Sequence, residues 1–401
     1  DAIVYYEKPF LKLERLLKTY LETAPKGLRS FIKSMLVWTT EKIFIKQNIY
    51  NELKKIDPEL QKKNINLLFT EHHLSHAASA FYPSSFEEAA ILTIDGVGEF
   101  TTTSLAIGKK NTITILKEIH FPHSLGLLYS AVTYFLGFKV NSDEYKVMGL
   151  AAYGSENDAE TKNYLQIIET TLIRLQPDGS YQLNMSYFTY THTLRMVNDT
   201  LWEQLFNIKK RKEADDLLQS HCNLAYAFQK ITEKAVLNLC AEIKRISGIE
   251  NLCLAGGVAL NSVINGIISD KKIFKNIFIQ PASGDSGGAL GCALATHYLY
   301  YKKERTIQQP DSMQNSLLGN DYTPSELDAI ETEHKNFVRC EDEDEVCHKT
   351  VQYITEGKVV GWFQGRMEFG PRALGNRSIL ADARNPEMQK HLNLKIKNRE
   401  S

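Results

Sequence analysis

Three short apolar segments, each running straight into a glycine-bracketed turn, constrain this chain more than any other feature. Ala90-Ile91-Leu92-Thr93-Ile94 stops at Asp95-Gly96-Val97-Gly98-Glu99. Asn251-Leu252-Cys253-Leu254-Ala255 stops at Gly256-Gly257, and Asn276-Ile277-Phe278-Ile279-Gln280 leads into Ser283-Gly284-Asp285-Ser286-Gly287-Gly288. Short apolar runs bounded by turn residues read as buried strands. The first is followed by two more strand patterns, 102–107 and 112–119, around Gly108-Lys109-Lys110-Asn111. The other two are followed by helical segments, one from Val258 onward and one over 289–301. A strand meander followed by two strand–glycine–helix units predicts an α/β fold.

The same turns hold the candidate chemistry. Glu71-His72-His73-Leu74-Ser75-His76 sets two imidazoles four residues apart, which a helix turns onto one face. The residue after His72 is His73 and not glutamate, which excludes the His-Glu-x-x-His zinc-protease arrangement. Alone, the pair reads more readily as structural histidines. Asp95 and Asp285, each in a glycine turn beyond an apolar strand, add two carboxylates, and two His with two Asp suit a divalent ion. Gly96, Gly98, Gly256 and Gly257 suit backbone approach to phosphate, although Asp-Gly is also a common hairpin signal. Asn261, where a helix begins, is placed to bond an adenine or ribose, or equally water. Gly256-Gly257 lacks the G-x-G-x-x-G spacing of a dinucleotide fold, which sets a nicotinamide enzyme aside.

Elsewhere, Leu11, Leu13, Leu16, Leu17 and Tyr20 recur at helical spacing, so 1–60 reads as a helical N-terminal segment. Further helices are expected over 125–136 and 223–246, with a loop rich in functional groups over 141–153. Residues 155–215 are polar and read as an irregular, elaborated insertion. The expected organisation is a metal- and nucleotide-binding domain over 61–335 and a second α/β unit over 340–401, with a strand at Val359-Val360-Gly361-Trp362-Phe363. At 401 residues more than one domain is expected, and a net charge of −1 gives no reason to expect nucleic acid or an anionic membrane as partner. No apolar run approaches the roughly 18 residues of a membrane span. Six scattered cysteines (222, 240, 253, 292, 340 and 347) without paired metal spacing favour a reducing cytoplasm.

Glu71 to Phe81, Asp95 to Glu99, Asp143 to Gly154, Ala255 to Asn261 and Gly284 to Gly287 resemble, in order, the carbamoyltransferases of the nodulation and antibiotic-tailoring type. The clearest match is Gly365-Arg366-Met367-Glu368-Phe369-Gly370-Pro371-Arg372-Ala373-Leu374-Gly375-Asn376-Arg377-Ser378-Ile379. The resemblance implies a larger domain like the threonylcarbamoyl-transfer ATPase, with a duplicated actin/Hsp70-like fold, followed by the start of a YrdC-like α/β domain that makes the acyl-adenylate. It implies that carbamoyl phosphate and ATP give carbamoyl-adenylate, whose carbamoyl group passes to a hydroxyl of a small sugar-like or natural-product acceptor. By position, His72, His76, Asp95 and Asp285 fall on the family's metal ligands, and Gly98, Gly256, Gly257 and Asn261 on its nucleotide loops. The family suggests Fe2+, while the donor set admits Mn2+ or Zn2+. Arg366, Arg372 and Arg377 would form a planar-donor cluster for carbamoyl phosphate or ATP. Lys146 is a phosphate or carbamoyl contact or a solvated lysine, and Glu99, Glu144 and Lys146 are the candidate bases.

Both ends look cut from something longer: the family begins with a glycine-containing hairpin and continues past Arg399-Glu400-Ser401. The expectation is a chain that keeps the metal ligands and adenosine pocket but has lost much of the adenylating site. Two other readings stand beside it. A tRNA threonylcarbamoyl transferase is opposed by the fused arginine segment and by the lack of a basic signature. A non-catalytic ATP-regulated module of the Hsp70/actin type would not need His72 and His76. Oligomeric state is not set by the sequence.

Overall fold

The three glycine-terminated segments form the centre and one edge of a single mixed sheet. The computed structural model describes residues 2–59, 65–333, 336 and 338–396. The expected boundaries at 60/61 and 335, and the last residues of the C-terminal charged run, lie outside the described residues. The chain divides into two units, Asp1–Ser312 and Met313–Ser401.

The first unit opens with β1 (Ala2–Tyr5), α1 (Pro9–Thr23), α2 (Leu28–Thr40) and α3 (Ile45–Ile56), then β2 (Asn66–Phe69) and α4 (His72–Phe81). The meander is β3 (Glu88–Ile94), β4 (Thr101–Lys109) and β5 (Thr112–His120). Helices α5 (Leu125–Phe135), α6 (Glu144–Ala151) and α7 (Ala159–Ile167) follow, then the hairpin of β6 (Ile173–Leu175) and β7 (Tyr181–Leu183). Helices α8 (Asp199–Phe206) and α9 (Gln219–Ser247) lead to β8 (Asn251–Ala255), α10 (Ser262–Asp270), β9 (Asn276–Ile279) and α11 (Asp285–Ala295).

The sheet runs β5-β4-β3-β8-β9, antiparallel among β3, β4 and β5 and parallel from β3 through β8 to β9. A second five-stranded sheet is not found among the described residues; β1 and β2 form a separate parallel pair. Alternate residues of β3 point to opposite faces, as the pleat requires. Ala89 and Ile91 pack with Ala77, Ala78 and Phe81 of α4, while Ala90, Leu92 and Ile94 join Leu128, Phe228 and Ile231 on the other side. The sheet is thus a middle layer with α4 and α11 on one face and α5 and α9 on the other.

The expectation of an irregular insertion over 155–215 is corrected. This stretch is folded into the main core: Tyr164, Tyr181, Phe188, Trp202 and Phe206 are among the largest fully buried side chains. The Trp202 ring stacks on Phe228 of α9 with centroids 5.5 Å apart, and its Nε1–H donates to the Tyr187 carbonyl at 3.1 Å. Large aromatics therefore hold these short elements where regular periodicity is absent. Asp158 and Asn198 cap α7 and α8 by accepting from Glu160 and Leu201 backbone N–H groups.

The second unit contains α12 (Pro324–Glu333), α13 (Glu343–Thr355), the antiparallel pair β10 (Val360–Phe363) and β11 (Arg377–Leu380), and α14 (Met388–His391). Its acidic run begins α13: Asp342 caps the helix by accepting from the Glu345 N–H at 2.8 Å, and acidic side chains fill the first turn, where the helix dipole favours them. No helix among the described residues is long and apolar enough to cross a membrane.

Candidate metal centre

Helix α4 starts within the site it serves. The Glu99 carboxylate, from the turn after β3, accepts the His72 backbone N–H with both oxygens at 3.1 Å and the Lys8 N–H at 2.7 Å. It thereby satisfies a helix-start donor that has no intrahelical partner. Helix α11 lies unusually close to α4 because Gly291 is bare: a Cβ there would sit 1.8 Å from the Ser75 carbonyl oxygen. This close approach brings Asp285, the first residue of α11, over the His72–His76 face.

Four side chains from three elements then converge. His72 Nε2 lies 2.9 Å from Asp95 Oδ2, 3.1 Å from His76 Nε2 and 3.5 Å from Asp285 Oδ1. His76 Nε2 lies 3.6 Å from both Asp95 Oδ2 and Asp285 Oδ1. Neighbouring ligands around an ion with bonds near 2.1 Å stand roughly 3.0–3.5 Å apart, so these donors have the spacing of one coordination shell. The histidines are buried, Asp95 is half-buried, and the Asp285 side chain is 60% exposed, so the cluster opens to solvent on the α11 side.

Backbone contacts tie the loops into one frame. Asp95 Oδ1 accepts the Gly257 N–H at 3.0 Å, and Gly256 N–H donates to the Ser283 carbonyl at 2.8 Å. Gly256 has φ +90°, and a Cβ there would meet the Ile94 carbonyl oxygen at 2.2 Å, so only glycine lets β8 exit beside β3. Gly98 is needed by packing, since its Cβ would come to 3.0 Å from that of His72, while a Cβ on Gly96 would enter open space.

The cluster favours positive charge. Burial opposes protonation of His72, yet Asp95, Glu7 and Asp285 outweigh it and raise its pKa to about 9. His76 is also raised despite burial, through Asp285 and Asp95. Burial pushes Asp95 upward, but the two imidazoles hold it well below the usual carboxylate range. His73 points elsewhere: its Nδ1 meets Thr93 Oγ1 at 2.7 Å, and burial pushes it down to about 3, leaving it neutral.

The other candidates are placed as follows. Asn261 caps α10 by accepting from the Ile264 N–H at 3.2 Å, and its Nδ2 donates to Gln229 Oε1 at 2.9 Å, so its amide is already engaged at both ends. Glu144 accepts from Ser130 Oγ and the Asn141 N–H, both at 2.8 Å, and Lys146 pairs with Asp143 at 3.1 Å, on a helix packed against α5 and α9. In the second unit Arg377 turns inward to Glu368 at 3.1 Å and to the Arg372 carbonyl at 3.2 Å, and Arg366 reaches Asp321 at 3.5 Å. Glu368 is the buried hub of that loop, accepting the Leu374 and Asn376 N–H groups at 2.7 and 2.8 Å. Glu7 was not legible as part of the site. Its Oε2 lies 3.8 Å from His72 Nδ1, and no sequence spacing links the two residues.

Fold and cluster define an α/β protein with a two-histidine, two-aspartate cage where neighbouring strands end. Residues 1–294 match the family model for the carbamoyltransferase N-terminus and residues 351–401 that for the carbamoyltransferase C-terminus. The chain belongs to the carbamoyltransferase family. It is 50% identical over its full length to an uncharacterised protein of Synechocystis, covering 64% of that protein. It is 37% identical to the nodulation protein NolNO of Sinorhizobium fredii over 83% of the chain and 46% of NolNO. To the nodulation protein NolO of Bradyrhizobium diazoefficiens it is 36% identical, over 82% of the chain and 56% of NolO. The chain thus spans less than two thirds of the length of each of these relatives.

Proposed function

We propose that this chain is the transfer part of an O-carbamoyltransferase, in which a divalent cation held by His72, His76, Asp95 and Asp285 marks the reaction site. The observation that carries this reading is the convergence of those four donors at mutual distances of one coordination shell. In the step itself an acceptor hydroxyl oxygen bonds to the carbamoyl carbon of carbamoyl-adenylate. The bond from that carbon to the adenylate phosphate oxygen breaks, AMP leaves with the electron pair, and the hydroxyl proton is lost to water.

When bound, Fe2+, or Mn2+ or Zn2+ in its place, would offset charge developing on AMP and polarise the carbamoyl oxygen. The chain's own residues supply the frame. Gly257 and Glu99 fix Asp95 and the start of α4 respectively, and Gly96, Gly98 and Gly256 keep the strand exits free of side chains where phosphate would approach. Fold and chemistry are both consistent with one actin/Hsp70-type sheet, in which nucleotide lies against such exits. Carbamoyl phosphate and ATP are the substrates of adenylate formation, with Arg366 and Arg372 the arginines offered to them and Arg377 held by Glu368 as a support of that loop. A small acceptor with a free hydroxyl is the partner, with no role for nucleic acid. A cytoplasmic setting suits the six cysteines, all of them unpaired. Glu99, the candidate base nearest the cage, already holds the Lys8 and His72 N–H groups, so its role there is to anchor α4.

The test is bound metal in the purified chain beside a His72→Ala/His76→Ala double variant. Near-stoichiometric metal in the parent and little in the variant is expected. Metal in neither, with both folded, overturns the reading.

A further inference from the structure

We infer that Glu7 is a positioning residue for the cage, its carboxylate accepting the Nδ1–H of His72 so that Nε2 is the nitrogen presented to the cation. The inference rests on the metal reading above and concerns a residue outside the four donors.

Among the described residues His72 Nδ1 is buried and has no hydrogen-bond partner, while its Nε2 faces the three other donors. An imidazole that binds a cation through Nε2 carries its proton on Nδ1, and that proton needs an acceptor. Glu7 Oε2, at 3.8 Å, is the carboxylate oxygen facing that atom, and a rotation that closes the gap by about 1 Å makes the hydrogen bond. The side chain is 8% exposed, so it is not there for solvent.

The chain on both sides of Glu7 is pinned to the same helix. Ser75 Oγ of α4 lies 3.0 Å from the Tyr6 carbonyl, and the Lys8 N–H donates to the Glu99 carboxylate that also caps His72. The Tyr6 ring lies 5.7 Å from the His72 ring, filling the space beside it. Lys12 of α1 also pairs with Glu7 Oε2, the oxygen that faces His72. These contacts fix the carboxylate before any cation arrives. His76 Nδ1 is likewise buried without a hydrogen-bond partner among the described residues.

Removing a carboxylate that orients a metal-binding imidazole in this way changes metal affinity by roughly 10–100-fold. Co2+ is the probe, titrated into the metal-free chain and followed by its visible absorption, with circular dichroism confirming the fold of each variant. Glu7→Ala is expected to weaken Co2+ binding by about 10–100-fold. Glu7→Gln keeps an oxygen acceptor and should recover most of that loss. In the metal-free chain above pH 9, where the His72 ring is neutral, nitrogen-15 chemical shifts should show its proton on Nδ1 in the parent and a mixture of tautomers in Glu7→Ala. Parent-like Co2+ affinity and an unchanged His72 tautomer in Glu7→Ala overturn the Glu7 inference alone. Absence of Co2+ binding by the parent overturns it together with the metal reading.

Discussion

Gly291→Ala tests how the cage is assembled without touching a ligand. The added Cβ would lie 1.8 Å from the Ser75 carbonyl oxygen and 3.0 Å from the Ser79 Cβ. Carbon–oxygen contacts settle at about 3.3 Å or more, so α4 and α11 would have to part by about 1.5 Å. Asp285 rides on α11, and its distances of 3.5 and 3.6 Å to the two histidines would grow accordingly. At a separation of about 5 Å they exceed the roughly 4.2 Å span of opposite ligands on an ion with 2.1 Å bonds, so Asp285 drops out of the set. Overpacking of this kind destabilises by about 1–3 kcal/mol, and the better helix propensity of alanine returns at most about 1 kcal/mol. The expected outcome is a net loss of about 1–2 kcal/mol in urea unfolding of the metal-free chain, together with weakened metal binding. Gly266→Ala is the control, because its Cβ meets nothing within 4 Å on the exposed side of α10. It should stabilise by up to about 1 kcal/mol. A Gly291→Ala variant as stable as the parent, with metal retained, would refute the close approach of the two helices.

Two further outcomes are expected away from the cage. Trp202→Ala should destabilise the chain by about 3–5 kcal/mol in urea unfolding, because it empties a fully buried ring site and removes one of the two donors to the Tyr187 carbonyl; a loss below about 1 kcal/mol would mean that 155–215 does not share the core. Hydrogen bonds from Arg245 and Lys117 hold Glu242 at about 2, against an ordinary value of 4.5, so its contribution is complete above 4.5 and vanishes as pH falls through about 2. Screening by water around Arg245 and Lys117 limits it to about 1 kcal/mol, and parallel stability-versus-pH curves for the parent and Glu242→Gln between pH 6 and 2.5 would refute it.

What the sequence disclosed was what is local. The strand exits were legible because an apolar run and its glycines are adjacent in the chain, and Asp95 and Asp285 are fixed relative to those exits. The His72–His76 pair was legible because four residues make one helical turn. The close contact of α11 with α4 rests on one of the small residues that follow Asp285, Gly291 against Ser75. The core role of 155–215 was hidden because Tyr164, Tyr181, Phe188, Trp202 and Phe206 are spread among short elements with no repeating interval. The inward turn of Arg377 was hidden for a related reason: nothing in a glycine- and arginine-rich loop announces that Glu368 lies buried at its centre.

Glu7 marks the boundary between the two kinds of information. Parallel pairing of β1 with β2 fixes its neighbour Tyr5 against Phe69, and β2 feeds directly into α4. Glu99, from a different loop, then clasps Lys8 and His72 with one carboxylate. Each contact is ordinary, and none is encoded by a spacing, yet together they deliver a buried carboxylate to the back of His72. Donor atoms announce themselves by residue type, whereas the groups that aim them are chosen by topology. A site read from sequence alone therefore yields its ligands before its supports, and the supports decide whether the ligands face one point.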